Sequence, residues 1–509
     1  MRRSPAGLQR EAATRAAFCA FFPNCTDTEY LAFNLPSPSL GSLYKIQATD
    51  MENMLNVTYY LFSESSEDSN SGLSAAISAV IRLLMNLGVV GFVGPNSSST
   101  SRAVSPVAEV FGVPHISYAS TSNGLSDSNS FPNFFRTVPQ DDGQALVMVR
   151  FALRMGWTTL SVINTLDSYG ANGAAALRES AVQNEIRLAT RQEFFPGETK
   201  DFEIDSRLMS VRDTNVRVIV LFMAQSDAVR VLQRARTIGM TGRGWVWLTS
   251  DAFTGVDVSA FGIQELARGI IGFEPRSSFE NREFLAFNKS WGSSWNIRGG
   301  IITNFQNHSN SNFYVNLPPA ASPRNYSAFG ANYDTLVPFA YDAMTTLLAA
   351  VRSLAKKNVT PCMSQLMEYR AQLRMEMKNM TVNGTTGQIS FDSNQDRIGA
   401  GYEILNHDGI SWQTIATFAP NTQVDFSSPF NDQNSPVWPS GLVGVSNAPP
   451  DLVVSAPNPY EYRSYRVAYP VLAAVVFVGV VVCSIFVYRH RDDYVFKAAA
   501  QSLVQVMNL

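Results

Sequence analysis

Cysteine and histidine are scarce, with four of each in 509 residues. Cys19, Cys25, Cys362 and Cys483 are too few and too scattered for a disulfide scaffold, and no cysteine-rich module precedes the C-terminal end. His115, His308, His407 and His490 stand alone, without metal-ligand spacing, so no metal and no other cofactor is expected. An excess of charge of one sign is also missing. Lys+Arg number 39 against 42 Asp+Glu, a formal net charge of −3, and no basic cluster offers a face for nucleic acid. The sequence has no phosphate loop ending in Gly-Lys-Ser/Thr, no dinucleotide fingerprint and no Gly-x-Ser-x-Gly elbow. No enzymatic activity is expected.

What is present is apolar substance and a membrane-length run. With 45% hydrophobic residues, the chain can bury the cores of two or three domains. Val467–Tyr488 runs 22 residues without a charge and ends at Arg489-His490-Arg491. At 1.5 Å per residue that length crosses a hydrocarbon core of about 30 Å, so a membrane helix is expected over 467–488. Glycosylation acceptors occur at Asn24, Asn56, Asn96, Asn288, Asn307, Asn325, Asn358, Asn379 and Asn383, all before residue 390. Their distribution places the N-terminal bulk outside the cell, in the plasma membrane's outer space. Residues 1–40 carry no convincing export signal and read as an incomplete N-terminal segment. Residues 489–509 begin a further helical pattern that stops.

Along the chain, apolar runs alternate with helical patterns. Strands are expected at Val57–Phe62, Gly88–Val93, Pro114–Ala119, Thr159–Asn164, Val216–Met223 and Trp245–Thr249. Helices are expected over Ser74–Leu87, Ser101–Phe111, about 171–184 and about 226–238. Strands apolar on both faces, alternating with helices, mean parallel sheets covered on both sides: an α/β chain. So many strands suggest two lobes, with crossings near Val138-Pro139-Gln140 and Phe273-Glu274-Pro275. Residues 421–466, rich in Pro, Ser and Asn, read as an extended linker too poor in periodicity to pack.

Hydroxyl residues cluster at two strand ends. Gly94-Pro95-Asn96-Ser97-Ser98-Ser99-Thr100-Ser101 follows one strand and opens a helix; His115–Ser122 ends the next in a second cluster. Such loops are either ordinary helix caps or converging donors for an anion. The motifs Gly-Pro-x-Ser-Ser, Pro-x-Ile-x-Tyr-x-x-Thr-Ser-x-x-Leu-Ser-Asp and Phe-Phe-Arg-Thr-x-Pro follow in that order. Gly156-Trp157, Asp167-Ser168-Tyr169-Gly170, Tyr341–Met344, Thr386–Asp392 and the Val437–Asp451 tail come after them. Together, over roughly 50–500, they resemble the extracellular ligand-binding domain of class C G-protein-coupled receptors, of the metabotropic GABA and glutamate type.

That resemblance implies a type I periplasmic-binding-protein-like (Venus flytrap) fold spanning 41–420. Lobe 1 would cover about 41–138 and 276–385, and lobe 2 about 139–275 and 386–420. It implies a small amino-acid-like ligand, a receptor dimer through lobe 1, a heterotrimeric G-protein partner and a lipid membrane. Position by position, Ser98 matches the residue holding the ligand α-carboxylate, and Ala119 offers its main chain to the α-amino group. Thr121 matches a hydroxyl seen by both groups, Tyr169 the aromatic of the opposite lobe, and Asp251 the acid pairing with the ammonium. Lys378 and Asn379 fall near the position of a distal ligand contact, a departure that puts glutamate in doubt. The direct run from lobes to span is of the GABA type. Asn96 shares its sequon with Ser98, so that acceptor is expected to go unused. Asp141-Asp142 reads as the cap of the following helix. Two other readings stay open: a single-pass receptor with a cyclase or kinase domain, and a membrane-anchored solute-binding module.

Overall fold

The computed structural model describes residues 26–30, 43–50, 55–62, 69–86, 88–198, 200–277, 281–288, 335–359, 361–418 and 435–452, with Ile485 and Arg489 as isolated positions. The chain divides into two compact units, Met1–Leu452 and Val453–Leu509, and all the elements below belong to the first. Apart from Ile485, the 467–488 run lies outside the described residues, among which no helix is long and apolar enough to cross a membrane.

β1 (Thr26–Tyr30), β2 (Leu43–Asp50) and β3 (Leu55–Phe62) form an antiparallel sheet, followed by α1 (Ser69–Asn86). β4 (Phe92–Val93), α2 (Ser98–Val110), β5 (His115–Ser117) and β6 (Phe134–Arg136) come next, their strands forming a parallel sheet in the order β4-β5-β6. The chain then runs through α3 (Asp141–Arg154), β7 (Thr159–Thr165), α4 (Ser168–Gln183), β8 (Arg187–Phe194), α5 (Asp201–Arg212), β9 (Val218–Phe222), α6 (Gln225–Thr237), β10 (Val246–Thr249), α7 (Gln264–Ala267) and β11 (Ile271–Pro275). After α8 (Val337–Lys356), α9 (Leu366–Asn379) and the hairpin β12 (Val382–Gly384)–β13 (Gly387–Ile389), it ends in β14 (Tyr402–His407) and β15 (Trp412–Phe418). The large sheet has the order β15-β14-β11-β10-β9-β7-β8, with β8 through β11 parallel and β14 and β15 antiparallel additions.

The period of two explains how an entirely apolar strand is used. On β9, Val218, Val220 and Phe222 pack with Phe151 and Leu177 of α3 and α4. Ile219 and Leu221 point the other way, onto Leu208 and Leu232 of α5 and α6. The smaller parallel sheet is covered likewise. Ile116 and Phe135 meet Leu347, Leu354 and Leu373 of α8 and α9, while α1 and α2 share a core at Val80, Leu84 and Val104. This is an α/β fold with parallel sheets flanked by helices, of the kind a periplasmic-binding-protein-like domain has.

The chain crosses between the two parallel sheets after β6, after β11 and after β13. Asp342 of α8 accepts from the Thr385 and Thr386 amides at 2.7 and 2.8 Å and from the Thr385 hydroxyl at 2.9 Å. Arg397 donates to the Thr137 carbonyl at 2.7 Å and the Thr386 hydroxyl at 2.6 Å. Burial lowers the Arg397 guanidinium to about 10, opposed by the Asp342 charge.

Several boundaries differ from the sequence expectation, the start of α1 at Ser69 rather than Ser74 among them, and three have consequences. Gly88–Val93 pairs as a strand only at Phe92–Val93, because the Val89 carbonyl takes the Arg370 guanidinium instead of a neighbouring strand. α2 begins at Ser98 rather than Ser101, which puts the serine run inside its first turn. The linker is not free throughout. Residues 421–434 lie outside the described residues, but 435–452 are docked, with Trp438 fully buried and its indole donating to the Gly444 carbonyl at 2.8 Å. The Asp451 carboxylate accepts from the Thr158 and Thr159 amides at 2.7 and 2.8 Å. Trp157 donates to the Pro449 carbonyl at 2.8 Å.

Candidate functional site

The two hydroxyl clusters do converge, and the N-termini of α2 and α4 meet there. Ser98, the first residue of α2, is buried, and its Oγ accepts from the Ser122 amide at 3.2 Å, leaving its own O–H to donate. Ser122 Oγ donates to the Ser168 carbonyl at 3.2 Å, and the Ser168 amide donates to Ser99 Oγ at 3.4 Å. Asp167 caps α4 by accepting from the Gly170 amide at 2.7 Å. Glycine is required at 170 because a Cβ there would sit 2.4 Å from the Thr165 carbonyl. Helix N-termini carry unpaired N–H groups and favour negative charge, so this side of the site suits a carboxylate.

The opposite sign faces it. Tyr169 donates to Asp251 Oδ1 at 2.5 Å, and Gln144 Nε2 donates to the same oxygen at 3.1 Å. The helix cap that Asp251 could have made is not formed, since a turn rather than a helix follows it. Burial raises the Asp251 pKa, while the Tyr169 and Gln144 hydrogen bonds oppose that rise. Burial and the neighbouring Asp251 charge hold the Tyr169 phenol well above its usual range, so it remains a donor.

Asp141 corrects the sequence reading. The N-cap of α3 is Gln140; Asp141 is the first helical residue and is fully buried. Neither carboxylate oxygen has a hydrogen-bond partner, and neither does the buried Thr121 hydroxyl. Burial pushes the Asp141 carboxyl up to about 8; the Asp251 charge adds to this, and Thr121 and Arg136 oppose it without cancelling it. An acid at the start of a helix looks like first-turn charge in sequence, and nothing local distinguishes this one. Its position directly after the Phe-Phe-Arg-Thr-x-Pro motif was the available signal.

Arg136, also unmarked in the sequence reading, holds the 120–126 loop that presents Thr121. Its guanidinium donates to Asp396 at 2.6 Å, to the Ser120 and Ser122 carbonyls at 3.2 and 2.9 Å, and to Ser126 Oγ and Gln140 Oε1 at 2.5 and 3.5 Å. Ala119 is half-buried, with its amide donating to Ser117 Oγ at 3.3 Å.

Thr121, Asp141, Tyr169 and Asp251 are thus linked through contacts or charge, with Ser98 joined through Ser122. Lys378 and Asn379 are placed differently. Lys378 donates to the Ser393 carbonyl at 2.8 Å, and no hydrogen bond among the described residues ties either of them to that group. Of the acceptor asparagines, Asn96, Asn288, Asn358, Asn379 and Asn383 are exposed. Asn56 lies on β3, and Asn24, Asn307 and Asn325 fall outside the described residues.

The chain is 26% identical over 329 residues to metabotropic glutamate receptor-like protein E of Dictyostelium discoideum, an overlap of 64% of this chain and 36% of that protein. To metabotropic glutamate receptor 4 of Mus musculus it is 32% identical over 189 residues, 37% of this chain and 21% of the relative. To metabotropic glutamate receptor 8 of Homo sapiens it is 24% identical over 345 residues, 63% of this chain and 36% of the relative. The chain therefore spans about a third or less of these relatives' own lengths. The family model described as "Receptor family ligand binding region" matches residues 48–410, well over half of the chain, and the chain belongs to that family.

Proposed function

We propose that this chain is the sensing part of a class C-type cell-surface receptor, closing two lobes on a small amino-acid-like ligand. The observation that carries the reading is Asp141: a fully buried carboxylate without a partner, facing Asp251, with two helix N-termini and a set of hydroxyls beside it. Such a site is polarised for a zwitterion. Ser98 takes the carboxylate end, Thr121 reaches both ends, and the Ala119 main chain, Asp141, Asp251 and Tyr169 take the ammonium. The larger sheet is lobe 2 and the smaller is lobe 1, and the ligand favours closure because residues of both lobes hold it. The GABA-like character, a dimer through lobe 1, the span at 467–488 and coupling to a heterotrimeric G protein belong to the same proposal. The resemblance and the receptor names of the relatives support them.

Thermal unfolding of the full chain with glycine, L-alanine, L-glutamate and γ-aminobutyrate tests the site. At least one should raise the unfolding temperature, and Thr121→Ala combined with Asp251→Ala should abolish the rise. Each lost charge-assisted hydrogen bond is worth on the order of 1.5–3 kcal/mol. An undiminished rise in the double variant would sink the assignment. Glycopeptide mapping supplies a second check: Asn288 and Asn358 are expected to be occupied, and Asn96, two residues before Ser98, to be bare. An Asn96 that is largely occupied contradicts the binding-loop reading.

A further inference from the structure

We infer that the empty site stores one proton on Asp141 and releases it to solvent when a cationic group enters, so that ligand capture and proton release are a single event. The inference rests on the ammonium-binding role proposed above and adds its regulation. Its basis is that the charged and phenolic donors around the carboxylate are committed elsewhere. Arg136, the cation facing it from β6, has all five N–H groups directed elsewhere, to Asp396, Ser120, Ser122, Ser126 and Gln140. From α4, Tyr169 gives its O–H to Asp251. From β14, Tyr402 gives its O–H to the Gln140 carbonyl at 2.8 Å. The Thr121 hydroxyl, a neutral donor with no other partner, lies beside the carboxylate and opposes its rise only in part, and Asp142, next on α3, adds like charge.

Asp251 differs from Asp141 in kind. It holds two donated hydrogen bonds and is the better anion, so a proton shared by the two acids resides on Asp141. A buried carboxylate without a countercharge, with a single neutral hydroxyl beside it, stays neutral near pH 7. An arriving ammonium supplies the missing countercharge. The O–H bond of Asp141 breaks, the proton passes to solvent, and the charge-assisted contact forms between the ammonium and the carboxylate. Affinity for such a ligand then rises with pH up to about 8, where the empty site itself ionises.

Two measurements test this. Without ligand, the folding equilibria of the full chain and of Asp141→Asn are compared from pH 5 to 8. The group's folded pKa is raised, so its stabilising contribution is complete below the unfolded value and is lost as pH rises. The ratio of wild-type to variant folding constants should fall about tenfold per pH unit. Asp251→Asn, which removes the like charge, should end the fall at a lower pH. A ratio flat across the range means Asp141 is ionised when empty and overturns the inference. With ligand, calorimetry of L-alanine and γ-aminobutyrate at pH 7 in phosphate and in Tris reads proton exchange, and close to one proton should be released per molecule bound. Binding without proton release overturns the coupling while leaving the amino-acid reading intact. Binding by neither these probes nor the other two amino acids overturns that reading and the coupling with it.

Discussion

Replacing Asp396 with alanine is expected to lower the unfolding free energy by about 3–5 kcal/mol, because it strands a charge. Asp396 accepts from Arg136 Nε at 2.6 Å, and both side chains are all but fully buried, at 0% and 3% exposure. A surface pair of the same length would contribute at most about 1 kcal/mol, since water would replace the lost partner. Water has no such access at 136. Two carbonyls, Ser126 and Gln140 also hold the guanidinium, so Asp396→Ala removes the anion but leaves the cation pinned. Urea unfolding should show a lower midpoint with an unchanged slope. A loss under 1 kcal/mol would mean the remaining hydrogen bonds suffice. Because Arg136 holds the loop carrying Thr121 and Ser122, the same substitution should weaken amino-acid stabilisation beyond its cost to folding, whereas an equally destabilising change elsewhere should not.

Trp438→Ala is expected to cost a similar 3–5 kcal/mol, although the residue lies in a stretch with no helix or strand of its own. Its ring packs edge-on against Trp157 with centroids 5.9 Å apart, joins the core between α3 and the large sheet, and is fully buried. Asn406 pins the preceding backbone by exchanging hydrogen bonds with Val437 at 2.8 and 3.2 Å. Denaturant unfolding of the full chain reads the loss; a change within 1 kcal/mol would show that 435–452 merely rests on the surface. The consequence reaches past stability. Asp451 is tied through its carboxylate to β7's start and through its carbonyl to the Arg217 amide at 2.7 Å, so residue 452 moves with the large sheet.

The outcome at particular residues shows why some of this was legible in the sequence. β9 could be read because an unbroken apolar run has one stable use beside helical patterns, a strand covered on both faces. Tyr169 and Asp251 could be placed through motif resemblance, and the structure joins them by a hydrogen bond across 82 residues. The family itself was legible from ordered motifs. Sequence patterning thus determined the α/β class, the order of strands and helices, and the serine clusters that open the candidate site.

Tertiary structure alone decided the rest. Asp141 has the sequence position of a cap yet caps nothing, because its character depends on Asp251, Thr121 and Arg136, which come from three separate stretches of chain. The docked 435–452 segment had no periodicity to read, since its partners are main-chain groups at Thr158, Thr159 and Arg217 rather than a repeating face. Local sequence sets propensity and pattern. Whether a carboxylate is hydrated, paired or stripped of both depends on distant residues packed around it, and that is where this site acquires its charge.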